Sequence, residues 1–338
     1  MSPRLGLLTN AASLAGMSSA DDFDTLDMQL AGALQVNGRA SWGLISKALD
    51  VPERTVARRG QRLLDSGAVR VSTYLDTTII GRAQPVIIHV ETKPGQAMQV
   101  AHVLAARPDA SSVSVLESGA EIVCELVPRT FADSTKLLRD ELPAIDGIVT
   151  LQVGTVLKLF RSGYDWAAIP LQQDVVDQLR PTSSSNKAKP LQFTDDDDAL
   201  IRALAADGRA TVVQLAETLG VSTPTVKRRL DALFDNGAMH VRTEIASALH
   251  GLRVEALSWL RVAPDRIEEV GQALARNPSV RFCASCTGAS QMLVDCLVED
   301  EAALYRFLTE DVAALGVESN IRMSVVLIPV RRGPMTLA

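Results

Sequence analysis

Two short runs place a hydroxyl and paired guanidinium groups at the same spacing: Thr55-Val56-Ala57-Arg58-Arg59 and Thr225-Val226-Lys227-Arg228-Arg229. Arginine suits phosphates and guanine edges, and threonine suits phosphates or the methyl of thymine. At about 100° per helical residue, Thr55, Arg58, Arg59 and Arg62 share one arc, and Thr225, Arg228 and Arg229 share its counterpart. Val56 and Leu63, like Val226, Leu230, Leu233 and Phe234, face another way, towards a packed core. One such helix can be an ordinary solvated face. Two of them point to insertion into the major groove of duplex DNA. The candidate DNA-binding residues are Thr55, Arg58, Arg59 and Arg62 in the first run, and Ser222, Thr225, Lys227, Arg228 and Arg229 in the second.

Other residue types carry less. Cys283 and Cys286 form a CxxC, but in a strand, where residues three apart point to opposite faces. No second CxxC or histidine pair completes a zinc site, so buried small side chains are expected there and no metal. His89, His102, His240 and His250 lack metal-ligand spacing. No P-loop, dinucleotide fingerprint or nucleophile motif occurs. No cofactor and no enzymatic activity are expected.

The elements that hold the two runs repeat. Sliding the chain by 170 residues gives 18 identities in the 46 positions from Leu26 to Val71, including Gly38-Arg39-Ala40 on Gly208-Arg209-Ala210. In each copy Leu30 and Leu34, or Leu200 and Leu204, mark a first helix. Asn37-Gly38 and Asp207-Gly208 are expected to end it with residues that tolerate positive φ. Ser41 and Thr211 suit the N-cap of a second helix, a short turn follows, and Gly67 and Gly237 stop the third. Gly60 stands where the other copy has Leu230, which predicts a looser first copy by roughly 1 kcal/mol of helix propensity plus a missing core side chain. A βαββαβ pattern follows each helical unit, with small insertions or deletions expected near Gly119 and Gly288.

At 338 residues and 47% hydrophobic, the chain can bury several cores. The net charge of −6 decides little, because the acid is concentrated, as in Asp195 to Asp198. No apolar run reaches membrane length, and four cysteines fit a reducing, cytoplasmic setting. The expected class is α+β: two copies of a winged-type helix-turn-helix, each followed by a ferredoxin-like βαββαβ domain. The boundaries read as a disordered tail 1–20, helix-turn-helix 21–72, effector domain 80–160, linker 161–192, helix-turn-helix 193–242 and effector domain 250–332. Gly81 and Gly251 read as turns between domains. An open sheet face in each effector domain needs cover, and the other copy can supply it.

Each half resembles the leucine-responsive regulatory protein/AsnC family of transcriptional regulators. The resemblance rests on LAGAL with NGRA, LIRAL with DGRA, TVARR, TVKRR and the segment Thr287 to Leu304. It implies an amino acid or related small-molecule effector held between paired effector domains. The matching positions are Ser118, Gly119 and Ala120, and Thr287, Gly288, Ala289 and Ser290; the same glycines also suit a tight hairpin. The implied partners are double-stranded DNA and the effector, with no membrane, an internal pseudo-dimer and homo-oligomers. Two alternatives stand beside it. One is a tetrapyrrole (sirohaem-type) decarboxylase of similar shape, with His89 the residue to suspect. The other is an effector-sensing assembly module that does not bind DNA.

Overall fold

The computed structural model describes residues 23–76, 83–163, 166–180, 195–317, 321–333 and 335–337. The first copy runs through α1 (Thr25–Val36), α2 (Trp42–Leu49), α3 (Glu53–Asp65), β1 (Val69–Leu75), β2 (Val86–Thr92), α4 (Ala97–Ala105), β3 (Ala110–Leu116), β4 (Glu121–Leu126), α5 (Phe131–Lys136) and β5 (Ile148–Arg161). Helix α6 (Gln173–Leu179) precedes the second copy. That copy comprises α7 (Asp195–Ala206), α8 (Val212–Leu219), α9 (Thr223–Asp235), β6 (Met239–Ile245), α10 (Ser247–His250), β7 (Val254–Leu260), α11 (Ile267–Arg276), β8 (Val280–Cys286), β9 (Met292–Val298), α12 (Glu301–Arg306), β10 (Arg322–Arg332) and β11 (Met335–Thr336). The expected tail 1–20, Gly81 and the Ser183–Pro190 stretch lie outside the described residues.

The two copies do not fold as two successive bodies. One compact unit joins Ala83–Trp166 with Leu252–Ala338, and the other joins the helical segment before Ala83 with Ala167–Gly251. Like therefore packs with like across the repeat.

In the helical unit, local signals set the ends of the elements. The Ser41 side chain accepts from Leu44 N–H and Thr211 from Gln214 N–H, satisfying free helix donors. Helix α2 ends on Asp50 at φ 53° and α8 on Gly220 at φ 67°. Strands β1 and β6 pair antiparallel with Ser72 opposite Arg242. Those two residues are 170 apart, hence equivalent, so an internal two-fold axis passes between them. Arg39 donates to the carbonyls of Gly208 and Ala210, and Arg209 donates to those of Gly38 (2.6 Å) and Ala40 (3.0 Å).

This exchange corrects the expectation for Gly38 and Gly208, neither of which has positive φ. They are glycine because the other copy comes close. A Cβ on Gly38 would lie 2.7 Å from Val241, and one on Gly208 would lie 2.8 Å from the Ser72 backbone. The core side chain expected to be missing at Gly60 is supplied by α2: the Trp42 ring occupies the space, 2.4 Å from where a Cβ would be. In the second copy Leu230, on α9, is itself buried in the core, and Val212, the equivalent of Trp42, packs partly buried against that core.

The expected linker 161–192 is partly structured. Ile169, Leu171, Val175 and Leu179 pack into the core of the first helix-turn-helix. Asn37 Nδ2 donates to Leu179 O at 2.9 Å, and Gln35 Oε1 accepts from Ala168 N–H at 2.9 Å. The i, i+4, i+8 spacing of Leu171, Val175 and Leu179 carried this signal.

In the second unit the strands run β3-β4-β2-β5-β8-β9-β7, and β10 pairs with both β7 and β3, so the ring of strands closes. Strand β5 pairs with β2 up to Thr155 and with β8 from Val156; β10 divides likewise, to β7 up to Val325 and to β3 from Val326. Ile87, Leu116, Val123 and Val156 meet their equivalents Leu257, Cys286, Leu293 and Val326 in one core. The expected cover of the open sheet faces is thus the other copy. Arg161 caps the carbonyls of Ala275 and Asn277 at the end of α11, and Arg331 caps those of Ala105 and Arg107 at the end of α4. No insertion separates the hairpins: Val90 opposes Ile122 as Leu260 opposes Met292, an offset of 170 throughout. The expected frame shift is only a glycine displaced by one position.

Candidate nucleic-acid interface and effector cavity

The arc read as one outward face on each third helix divides in two. Arg58 and Arg228 are exposed and carry no ion pair among the described residues. Arg59 instead reaches Asp24 at 2.6 Å and Asp27 at 3.2 Å, and Arg62 reaches Asp27 at 2.5 Å. In the second copy Arg229 meets Asp197 at 3.1 Å. Asp27 and Asp197 are each only 1% exposed, so these arginines neutralise a buried carboxylate on the first helix and brace α3 on α1 and α9 on α7. Arg59 and Arg229 take this bracing role in place of the expected outward one, whereas Arg62, 54% exposed, touches Asp27 from the helix surface. Sequence reasoning missed the partner aspartates, although Asp27 and Asp197 are themselves identities in the repeat.

Thr55 and Thr225 are half-buried beside Arg58 and Arg228. Ser222 caps α9, with its Oγ 2.8 Å from Thr225 Oγ1. Pro52 makes no such cap on α3. Lys227 is exposed and pairs with Asp231 at 2.8 Å, one helical turn away. Such a surface pair is worth only about 0.3–0.5 kcal/mol, weak enough to yield to a phosphate. The basic surface of each head thus centres on Thr55 with Arg58, and on Thr225 with Arg228.

The expected effector positions separate by copy. Thr287, Gly288, Ala289 and Ser290 line a cavity of about 430 Å³, together with Ile87, His89, Gln152, Gly154, Trp259, Arg261, Met292 and Arg322. Ser118, Gly119 and Ala120 do not line it; their hairpin is held by Gly119 N–H to Leu116 O and Thr92 N–H to Ala120 O. His89 and Trp259 are equivalents across the two-fold and meet edge to face, with ring centroids 5.6 Å apart. The Arg322 guanidinium lies 3.1 Å from His89 Nε2, 2.8 Å from Glu121 and 5.4 Å from the Trp259 ring centre. Burial, and after it the Arg322 charge, hold His89 below the ordinary imidazole value, so it is neutral at pH 7. Its Nδ1 is buried without a hydrogen-bond partner among the described residues. The cavity combines guanidinium groups, a neutral imidazole, an indole and aliphatic walls.

The wall breaks the two-fold symmetry. Arg261 and Thr287 stand in this wall where the first copy has Glu91 and Glu117, so a cation and a hydroxyl replace two carboxylates here. Away from the cavity, Arg281 donates to Asp295 (2.9 Å) and Glu255 (2.7 Å) in a buried cluster that also takes in Arg332. Cys283 and Cys286 lie in two different cores, one on each face of β8, and burial pushes both thiols up to about 12. One ion cannot be held by both.

Comparison with known proteins agrees with this division. The AsnC-type helix-turn-helix domain profile matches residues 23–64 and 194–233, and the Lrp/AsnC ligand binding domain profile matches residues 255–335. An HTH-type transcriptional regulator of Mycobacterium tuberculosis is 32% identical over 125 residues, 34% of this chain and 82% of its own length. An uncharacterised HTH-type transcriptional regulator of Pyrococcus horikoshii is 24% identical over 144 residues, 42% of this chain and 91% of its own. Among solved structures, the siroheme decarboxylase NirDL shares the fold with a TM-score of 0.60 at 13% identity, covering 91% of this chain and 94% of that one. Those regulators match about one copy of the repeat, whereas the last likeness spans both. With two matched helix-turn-helix domains and a matched ligand-binding domain, the chain belongs to the Lrp/AsnC family of DNA-binding transcriptional regulators.

Proposed function

We propose that this is a cytoplasmic, one-component regulator in which a single chain supplies both reading heads for one pseudo-palindromic operator. One observation carries the proposal: Arg58 and Arg228 occupy equivalent, exposed positions on third helices related by an internal two-fold. Two-fold heads match half-sites about one helical turn of DNA apart, roughly 10 base pairs. Arg58, Arg228 and Lys227 serve phosphates and guanine edges, and Thr55, Thr225 and Ser222 serve phosphates. In this reading each copy is a winged helix-turn-helix followed by a ferredoxin-like domain, and chains associate further into homo-oligomers.

The effector is a carboxylate-bearing amino acid or relative, bound in the cavity with Arg261 on its carboxylate and Trp259 and Ile87 against its apolar part. It shifts DNA affinity only as far as it binds the free and DNA-bound forms unequally. Genomic fragments selected by the full chain, with and without pooled amino acids, test the whole reading. Recovery of discrete sites whose binding is lost in an Arg58→Ala, Arg228→Ala double variant supports it; sequence-independent recovery, or unchanged binding by that variant, overturns it.

A second reading rests on His89, buried beside Arg322 in a cavity between two fused copies that share the fold of a siroheme decarboxylase. The chain would then bind an iron tetrapyrrole. Against it, Glu121 already neutralises Arg322, leaving Arg261 to meet a ligand with many carboxylates. A Soret-type band on adding such a tetrapyrrole, lost in His89→Ala, would favour it.

A further inference from the structure

Within the helical unit, the scaffold is symmetric while its exposed surface is not. Strand pairing, the Arg39 and Arg209 exchange and the braced aspartates all obey the two-fold. Across the third helices, Thr55, Val56, Arg58, Arg59 and Leu63 are identical to their equivalents. The exposed positions of the first turn are not: Glu53 and Arg54 face Thr223 and Pro224, all four exposed. One turn on, Ala57 is replaced by Lys227 and Gln61 by Asp231. The N-terminal residues of a recognition helix are the ones placed at base edges, so the difference falls where specificity is read.

From this we infer that the operator is asymmetric and that the chain binds it in one orientation. This rests on the DNA-binding reading above. The half-sites share the contact made by Thr55 with Arg58 and by Thr225 with Arg228. They differ at the flanking bases, where Arg54 presents a guanidinium fork to one half-site and Pro224 presents neither charge nor N–H to the other. Lys227 adds a cation to the second head that Ala57 cannot match. A dimer of identical chains cannot do this, since its two heads have one sequence. Fusing the copies frees each head to diverge while the shared strand pair keeps them together.

The test uses the full chain and three duplexes derived from a selected site: the natural operator and the two perfect palindromes made by doubling each half. Fluorescence anisotropy at fixed salt should show both palindromes bound about tenfold or more weakly than the natural site, the usual effect of a mismatched contact. Affinities within threefold of one another would overturn the asymmetry while leaving DNA binding intact. Failure to bind any selected duplex would overturn both. The triple variant Glu53→Thr, Arg54→Pro, Ala57→Lys gives the first head the second head's residues at these three positions and should move the preference to the palindrome of the second half-site. Retention of the wild-type preference would sink the assignment. The wild-type comparison of palindromes decides the matter if that variant does not fold.

Discussion

At the scale of single residues, neighbours in sequence take opposite roles. Arg58 and Arg59 are adjacent arginines, yet one faces solvent and the other braces buried Asp27. Replacing Arg59 by alanine strips a partner from a carboxylate that is 1% exposed, and should destabilise the fold by about 1–3 kcal/mol in urea unfolding. Arg58→Ala should leave the unfolding midpoint unchanged, weaken DNA binding about tenfold and lower the salt slope by about 1. If Arg59→Ala behaves like Arg58→Ala in both assays, the division of the arc is wrong.

At the scale of elements, glycines that look alike in sequence act through different physics. Gly220 has φ 67° and nothing within 4 Å of a built Cβ. Gly220→Ala should therefore cost only the left-handed backbone penalty, about 1–2 kcal/mol, without touching strand pairing. Gly208 has an ordinary φ, but its Cβ would meet the Ser72 backbone at 2.8 Å. Gly208→Ala must push the turn after α7 away from β1, and should cost more than Gly220→Ala and speed hydrogen exchange across β1. Equal melting shifts with unchanged exchange would contradict that account. The same logic explains the packing of α11 on β5. Gly271 is small because Phe160 lies 2.5 Å from where its Cβ would be, whereas the first copy balances Ala101 with Val330.

At the scale of the whole molecule, fusing two copies lets the second evolve charge that the first lacks. Arg281, Glu255, Asp295 and Arg332 form a buried network whose first-copy counterparts are Ser111, Pro85, Glu125 and Ser162. Burial pushes the Asp295 carboxyl up to about 6, against the pull of Arg281. A carboxyl whose folded pKa exceeds its unfolded value, about 3.9, contributes stability that is full below pH 4 and lost as pH rises through about 6. His89 has the opposite sign: its lowered pKa contributes stability above the ordinary imidazole value, lost as pH falls through the folded one. Urea unfolding between pH 4 and 7 should show the first decline, and Asp295→Asn should flatten it. A profile unaltered by that substitution would remove Asp295 as the cause.

The repeat, the third helices, the caps at Ser41 and Thr211 and the strand alternation were legible because each rests on local spacing or on identity between copies. The partition of the chain was not legible. Which arginine faces outward, why Gly38 and Gly208 lack a side chain, and how Trp42 answers Gly60 all depend on surfaces that only the fold brings together. Helix α6 was masked by its polar, linker-like flanks, though its leucine spacing was present. Sequence alone specifies periodic faces that must be buried, since burying apolar area is what folds them. It does not say against what. Here the closest complement to each face is its own duplicate, so only the tertiary structure decided that the copies trade strands and that the cavity holds His89 from one copy against Trp259 from the other.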